Sequence, residues 1–140
     1  MTYGMILMVN NVQCSLDFYL SLPGFSFELG TAASKEIRFE RTEEEFLFAA
    51  LRVGEQKLMI QTRETLGADV PQLLKIEQLG ATGVLYFDVE NVDHLYQELK
   101  EKNIPIVKEI NDKFYGRREF YIQDRDGYFL GFSQLIGTHK

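Results

Sequence analysis

Two segments of this chain, eighty positions apart, repeat the same order of structural signals. In the first segment, residues 5–25, an apolar run leads into Asn11-Val12 and then into an amphipathic stretch; in the second, residues 85–106, the pair is Asn91-Val92. Each apolar run predicts a strand, and apolar residues at helical spacing, such as Val92, Leu95 and Leu99, predict a helix after it. An internal repeat of this kind constrains the architecture more than any other feature.

Further strand-like runs follow each predicted helix. They cover residues 25–29, 35–41 and 46–61 with a turn near Gly54 in the first half, and residues 106–109, 114–123 and 128–135 in the second half. The pair Asp126-Gly127 is a strong signal for a tight hairpin turn. Each half is therefore predicted to have the element order βαβββ, which is typical of an α+β fold. The sheet face opposite each helix would need cover, so we expect the halves to form a cupped, barrel-like mixed sheet with helices outside.

The length of 140 residues predicts a single domain with a real hydrophobic core. We expect residues 1–140 to form one domain, with module 1 at about 3–62 and module 2 at about 82–136. Residues 63–81 would be a linker with a short helical stretch over 71–79, because Gly67 and Pro71 interrupt the pattern there.

Charge and composition narrow the possible partners. The formal net charge is -6, and a protein that binds a nucleic-acid backbone needs a basic stripe that this chain lacks. No apolar run has the length of a membrane span, and the amino terminus does not look like a secretory leader. The single Cys14 falls within a predicted helix, where we expect it to pack as a small residue. We therefore expect a cytoplasmic protein that binds neither nucleic acid nor membrane.

Three motifs carry a resemblance to a known family. The segments "SLDFYLSLPGF", "DVENVDHLYQEL" and "YGRREFYIQDRDGYFLGF", together with the duplicated βαβββ pattern, resemble the vicinal oxygen chelate superfamily of glyoxalases, bleomycin resistance proteins and extradiol dioxygenases. In this chain Arg125 stands where the family often has proline before the turn. The resemblance implies the fold strongly and the function weakly, because one fold hosts many chemistries.

Metal-dependent members of this family hold a divalent ion through four inward-pointing His, Gln or Glu side chains, and the motifs place those positions here at Gly4, Lys57, Val84 and Gly131. None of these four side chains can donate an electron pair to a divalent ion as a carboxylate, amide or imidazole would. We therefore expect neither metal nor cofactor. Four other residues could in principle be ligands, but their predicted positions favour other roles. His94 falls in a helix, His139 in the terminal tail, and Gln61 and Gln134 at strand ends.

Two carboxylates, Glu119 and Asp88, are weak candidates for a catalytic base. The sequence supplies no second group with a complementary role, and it has no Ser-His-Asp or Cys-His grouping. We favour a structural role for both, in which Glu119 pairs with Arg117 or Arg118 and Asp88 caps or orients the backbone.

Strand alternation predicts a set of side chains that share a face with the four family positions. This wall is aromatic and apolar, as is usual for small-molecule pockets. The candidate ligand contacts are Met8, Phe39, Phe48, Met59, Tyr86, Tyr115, Tyr121 and Phe129. Aromatic residues at alternating strand positions are often plain core, and we expect about half of them to fill space only. We expect Gly4 and Gly131 to leave room for a ligand.

These observations favour a metal-independent, small-molecule-binding protein similar to the bleomycin-resistance members, a group linked to antibiotic resistance that works as homodimers. The ligand would be planar or cationic. The alternative is a lyase or isomerase of the same superfamily that uses a carboxylate base or a non-standard metal site. A third possibility is a regulatory or interaction module whose cavity is filled.

Overall fold

The computed structural model describes residue 1, residues 3–79 and residues 83–137, and the chain divides into two compact units, Met1–Leu79 and Gly80–Lys140. The elements of the first unit are β1 (Met5–Val9), α1 (Val12–Leu20), β2 (Phe25–Ala32), β3 (Ile37–Arg38), β4 (Phe46–Val53), β5 (Gln56–Thr62), α2 (Arg63–Asp69) and a 3-10 turn (Pro71–Lys75). Those of the second are β6 (Val84–Asp88), α3 (Val92–Glu101), β7 (Ile106–Asp112), β8 (Arg117–Gln123) and β9 (Phe129–Leu135).

Each unit has one mixed sheet. The strand order is β1-β5-β4-β2-β3 in the first unit and β6-β9-β8-β7 in the second. In both sheets the first strand runs parallel to the last, and the other pairings are antiparallel. The α+β fold class predicted from the repeat is confirmed, and the second unit is a plain βαβββ module. The first unit adds the two-residue strand β3 to the same frame.

The two repeated asparagines begin the two repeated helices. Asn11 Oδ1 accepts a hydrogen bond from the backbone N–H of Cys14 at 2.8 Å, and Asn91 Oδ1 accepts one from the N–H of His94 at 3.0 Å. Such a cap satisfies an N–H that the helix itself cannot, and it contributes about 1 kcal/mol. The repeat seen in the sequence is therefore a repeat of helix starts.

One face of each sheet is packed against its helix. In the second unit, Phe120 and Ile122 of β8 are fully buried, and the ring of Tyr96 on α3 meets that of Phe120 edge-on at 5.1 Å. In the first unit, Leu7 and Ile60 are the corresponding buried strand residues. Because side chains alternate along a strand, their neighbours in sequence project from the opposite face.

The largest differences from the predicted segments lie at residues 35–41 and 63–79, whereas other strand ends move by a few residues, as in β2, β7 and β8. The strand expected over residues 35–41 is only the two-residue strand β3 in the structure. The chain turns at Lys35, whose φ of 73° lies in the left-handed region. The expected linker contains α2, which begins after Thr62, where the hydroxyl accepts from the N–H of Thr65 at 3.2 Å. The helical stretch expected over residues 71–79 is the shorter 3-10 turn. No helix within the described ranges is long and apolar enough to cross a membrane.

Candidate functional site

A buried carboxylate lies on the face of the second sheet that is turned away from α3. Glu119 of β8 has no exposed surface, and four hydroxyl groups donate hydrogen bonds to it. Oε1 accepts from Tyr115 at 2.9 Å and from Tyr121 at 3.2 Å. Oε2 accepts from Ser133 at 3.0 Å and from Tyr86. Both carboxylate oxygens are therefore satisfied by hydroxyls, as a buried charge requires.

The register of three neighbouring strands assembles this cluster. Strand β9 lies between β6, to which it is parallel, and β8, to which it is antiparallel. Two rows of residues cross these strands on the face away from α3: Tyr86, Gly131 and Tyr121 in one, and Asp88, Ser133 and Glu119 in the other. Tyr115 reaches Glu119 from the turn before β8, where Gly116 has a φ of 82°.

Gly131 sits beneath the ring of Tyr121. A Cβ atom at Gly131 would lie 2.5 Å from Cε2 of that ring, a distance at which something must move. The expected open space at Gly131 is therefore wrong: the aromatic side chain of the paired strand occupies it, as often happens at a strand glycine. At Gly4 an added Cβ atom would lie 3.1 Å from Cε of Met59.

Burial and hydrogen bonding act in opposite directions on Glu119. Burial raises the pKa of its carboxyl group, but the hydrogen bonds from the tyrosines and Ser133 together outweigh it, and the pKa ends below its ordinary value of 4.5. The carboxylate is thus ionised at neutral pH. Its contribution to stability is complete above pH 4.5 and is lost as the pH falls through the lowered folded-state pKa.

The same contacts act on the tyrosines in the other sense. Burial, then the charge of Glu119 and the hydrogen bond to it, raise the pKa of Tyr121 to about 12. The pKa values of Tyr86 and Tyr115 are also raised, first by burial and then by the hydrogen bond to Glu119. The three phenols therefore stay protonated at neutral pH, and their protons point at the carboxylate.

Arg117 extends the network from Ser133 to Asp88. Its Nε donates to Ser133 Oγ at 2.6 Å, and its Nη2 pairs with Asp88 Oδ1 at 2.5 Å. Arg118 projects from the opposite face and pairs with Asp112 and Asp93, at 2.6 and 2.9 Å.

The expected pairing of Glu119 with Arg117 or Arg118 is therefore wrong, and Asp88 pairs with an arginine side chain instead of the backbone. The reason is alternation along β8. Arg118 faces away from Glu119, and the guanidinium of Arg117 reaches Ser133, on the neighbouring strand, instead of Glu119.

The other predicted contacts lie on several elements of the two units. Phe129 is the first residue of β9, where it faces Val84 of β6, so it borders the tyrosine cluster. Met8, Phe48 and Met59 occupy the first sheet, on β1, β4 and β5. Phe39 lies outside the strands and is 73% exposed. The structure thus gathers Tyr86, Tyr115 and Tyr121 around Glu119, with Phe129 at the border of the cluster.

Register also identifies which residues of the two units correspond. Tyr86 faces Gly131, and Ile6, eighty positions before Tyr86, faces Met59. Met59, two residues beyond Lys57, is therefore the counterpart of Gly131. The ammonium of Lys57 pairs with Glu28 at 3.4 Å.

The residues at the predicted metal positions do not have the donor atoms that a divalent ion needs. Gly4, Val84 and Gly131 have no donor atom, Lys57 is a cation engaged by Glu28, and Met59 offers a single thioether. Among residues 3–79 and 83–137, no group of three or more His, Cys, Asp or Glu side chains could hold a metal ion.

The remaining candidate ligands have other surroundings. His94 is exposed on α3 beside Glu98, and His139 lies outside the described residues. Gln134 Oε1 accepts from the N–H of Val92 at 2.8 Å, so it helps to cap α3, which confirms a strand-end role. Gln61 contacts Asp69 at 3.4 Å, and Cys14 lies in α1 as expected.

Two members of the network are not among the predicted ligand contacts: Ser133, which strand alternation places on the same face as Gly131, and Arg117, which is predicted only to pair with Glu119. The sequence contains a signal for Ser133. Counting outward from the Asp126-Gly127 turn pairs Gln123 with Phe129, and the same register brings Glu119 opposite Ser133. No comparable signal exists for Arg117, because the reach of its side chain to the next strand is a matter of rotamer.

The chain matches a known family along most of its length. The family model described as "Glyoxalase/Bleomycin resistance protein/Dioxygenase superfamily" matches residues 4–132. The chain therefore belongs to the glyoxalase, bleomycin resistance protein and dioxygenase superfamily. No curated protein matches it.

Solved structures agree on the fold. TioX from Micromonospora sp. ML1 is 16% identical with a TM-score of 0.70, and the match covers 97% of this chain and 100% of TioX. A glyoxalase/bleomycin resistance protein/dioxygenase from Nocardioides is 14% identical with a TM-score of 0.74, covering 100% of this chain and 86% of that one. A family enzyme from Burkholderia phytofirmans PsJN is 16% identical with a TM-score of 0.72, covering 95% and 97%. At these identities the likeness concerns the fold alone.

Replacing Gly131 with alanine should destabilise the second unit. The new methyl group would meet the Tyr121 ring, and overpacking of this kind costs about 1–3 kcal/mol. Urea denaturation followed by circular dichroism measures the loss. Gly83→Ala is the matched control, because a Cβ there meets nothing within 4 Å. Equal stability of the two variants would show that Tyr121 does not lie over Gly131.

Titration of the phenols should reveal the link to Glu119. The absorbance of ionised tyrosine near 295 nm should show a late component with a pKa of about 12 that disappears in Tyr121→Phe. Glu119→Gln should lower that pKa without returning it to 10, because burial remains its largest cause. The contribution of Tyr121 to the free energy of unfolding should be complete below pH 10 and should be lost as the pH rises toward 12. An unchanged late component in Glu119→Gln would contradict the hydrogen bond.

Proposed function

We propose that this chain is a metal-independent small-molecule-binding protein, and that the tyrosine-lined face around Glu119 holds a planar or cationic ligand. The observation that carries the proposal is the buried carboxylate whose oxygens are both occupied by hydroxyl donors. An arrangement so fully satisfied holds rings in place. Those rings, and the lone pairs of their phenol oxygens, are then available to a ligand.

Charge favours a cation at this face. Within the network, Asp88 and Arg117 form an ion pair, which leaves the charge of Glu119 without a compensating cation among its own hydrogen-bond partners. Tyrosine rings attract cations through their faces, with about 0.5–2 kcal/mol for each good contact. Tyr86 is 51% exposed, so a ligand can reach it. The net charge of -6 adds a weak long-range attraction for cations.

The surroundings of Glu119 favour a role in binding over a role as a catalytic base. A general base works best with a pKa near the operating pH and with a free lone pair directed at the substrate. Glu119 has a lowered pKa, and hydroxyl protons already occupy both of its oxygens. The tyrosines cannot act as an oxyanion hole either, since they donate to Glu119. A lyase or isomerase that used Glu119 as its base would first have to break this network.

The biological role that fits such a site is sequestration of a planar or cationic compound in the cytoplasm. The family description includes bleomycin resistance, so resistance to a toxic compound or antibiotic is part of this proposal. The single cysteine, which cannot form an internal disulfide, suits a reducing compartment.

The proposal also includes a homodimer. Strands β1 and β6 are each at the edge of a sheet, and both carry exposed apolar side chains, among them Met5, Ile6 and Val84. Exposed edges of this kind promote pairing with another strand, and a second copy of the chain would cover them.

A pair of indoles that are matched in shape but differ in charge tests the binding proposal. Tryptamine should bind in isothermal titration calorimetry, and its uncharged analogue tryptophol should bind at least several-fold more weakly. Glu119→Gln should reduce tryptamine affinity about tenfold, equivalent to about 1.4 kcal/mol. Tyr86→Ala should reduce it by a factor of about 2–30, the range expected for one cation–π contact.

Tyr96→Phe is the matched control for these variants. It removes a tyrosine–glutamate hydrogen bond on the helix side, between Tyr96 and Glu109, and leaves the cluster around Glu119 intact. It should bind tryptamine like the wild type. If tryptamine, phenethylamine and 4-aminoquinoline all fail to bind at millimolar concentration, the proposed function is wrong.

Light scattering coupled to gel filtration tests the homodimer. The expected mass is about twice 16.2 kDa. Ile6→Lys, which places a charge on the exposed edge of β1, should shift the protein toward 16.2 kDa. A mass of 16.2 kDa for the wild type at high concentration would exclude the dimer.

A further inference from the structure

The geometry points to a ligand that carries a carboxylate as well as an aromatic or cationic group, with its carboxylate taking the place of Asp88 on Arg117. This inference rests on the proposed function, because it concerns the same face of the second sheet. It adds an anion-binding position to the tyrosine cluster. The ligand class becomes amphoteric, of which aromatic amino acids are the simplest members.

Arg117 is held in a fixed orientation by the buried network. Its Nε donates to Ser133, whose hydroxyl in turn donates to Glu119, and both of these residues are fully buried. The other edge of the guanidinium faces Asp88, and 23% of the Arg117 side chain is exposed. An arginine fixed on one side is pre-organised to bind a planar anion on the other, and guanidinium and carboxylate match in geometry.

Asp88 is the part of the network that can be displaced. Its side chain is 78% exposed, and its contact with Arg117 at 2.5 Å is an ion pair at the surface. Ion pairs in contact with solvent contribute little to stability, since water and salt screen both charges. The structure also shows which anion suits this position, because the group now on Arg117 is itself a carboxylate.

The distance to the tyrosine cluster sets the size of the ligand. Asp88 and Tyr86 are two residues apart on β6 and project from the same face, which separates them by about 7 Å. That separation matches a ligand whose carboxylate and aromatic ring lie within one small molecule. Arg117 itself contacts neither Tyr115 nor Tyr121 through a hydrogen bond, so a bound carboxylate would leave those phenols on Glu119.

A comparison of tryptophan with tryptamine tests the inference, because the two differ only in the carboxylate. Calorimetry should show tryptophan binding about tenfold more tightly than tryptamine to the wild type. In Arg117→Gln that advantage should vanish while tryptamine still binds. In Asp88→Asn, where no side-chain carboxylate competes for Arg117, the advantage of tryptophan over tryptamine should grow by several-fold.

Arg118→Gln is the matched control. This substitution removes the same charge from the adjacent position. The ion pairs of Arg118 with Asp93 and Asp112 lie on the opposite face of the sheet. It should keep the full advantage of tryptophan. Circular dichroism of each variant confirms that the fold is retained, and Arg117→Lys provides a second substitution that keeps the charge but loses the bond from Nε to Ser133.

The outcomes separate the two proposals. If tryptamine binds and tryptophan binds no better, the carboxylate position is wrong and the proposed function stands. If the advantage of tryptophan survives in both Arg117→Gln and Arg117→Lys, the carboxylate binds elsewhere and the inference is likewise wrong. If neither molecule binds the wild type, both proposals fail.

Discussion

A carboxylate removed from water is strongly unfavourable unless its oxygens find donors, and the second unit is organised around satisfying one such group. The donors to Glu119 come from β6, from β9, from β8 itself and from the turn before β8. Displacement of β6 or β9 from its register would remove one of the four donors from a buried charge. Burial first, and then the same carboxylate, raise the pKa values of the phenols, whose hydrogen bonds the carboxylate accepts. Stability and the chemistry of the face therefore depend on one interaction.

The two faces of the second sheet serve different purposes. On the side of α3, apolar residues such as Phe120 and Leu130 are packed to zero exposure and leave no freedom for substitution. On the other side, polar groups form a connected chain from the buried Glu119 through Ser133 to the exposed Asp88. Burial decreases along that chain toward solvent. Such a gradient suits a binding site, since the buried end holds the geometry and the exposed end can exchange partners.

The sequence predicts the fold because the repeat, the helix caps and the hairpin turn are all local signals. Asn11 and Asn91 begin their helices as expected, and strand alternation is enough to put Tyr121 on the face opposite the core residues Phe120 and Ile122. The site is harder to predict because its contacts join residues far apart in sequence. Tyr86 and Glu119 are 33 positions apart, and nothing in either neighbourhood specifies their hydrogen bond. An opposite charge next in sequence, such as Arg118, is a misleading partner, because adjacent strand residues face opposite ways.

At one equivalent position in both sheets, a bulky residue is paired across two strands with a small one. The bulky residue is on the first strand of the hairpin in one unit and on its partner strand in the other. Tyr121 on β8 lies opposite Gly131 on β9, whereas Ala50 on β4 lies opposite Met59 on β5. The volume at the pair is roughly maintained while its chemistry changes from phenol to thioether. Bulk is thus exchanged across the strand pair while the pairing register stays the same in both sheets. One repeated strand arrangement can in this way present different chemistry on its two sheets.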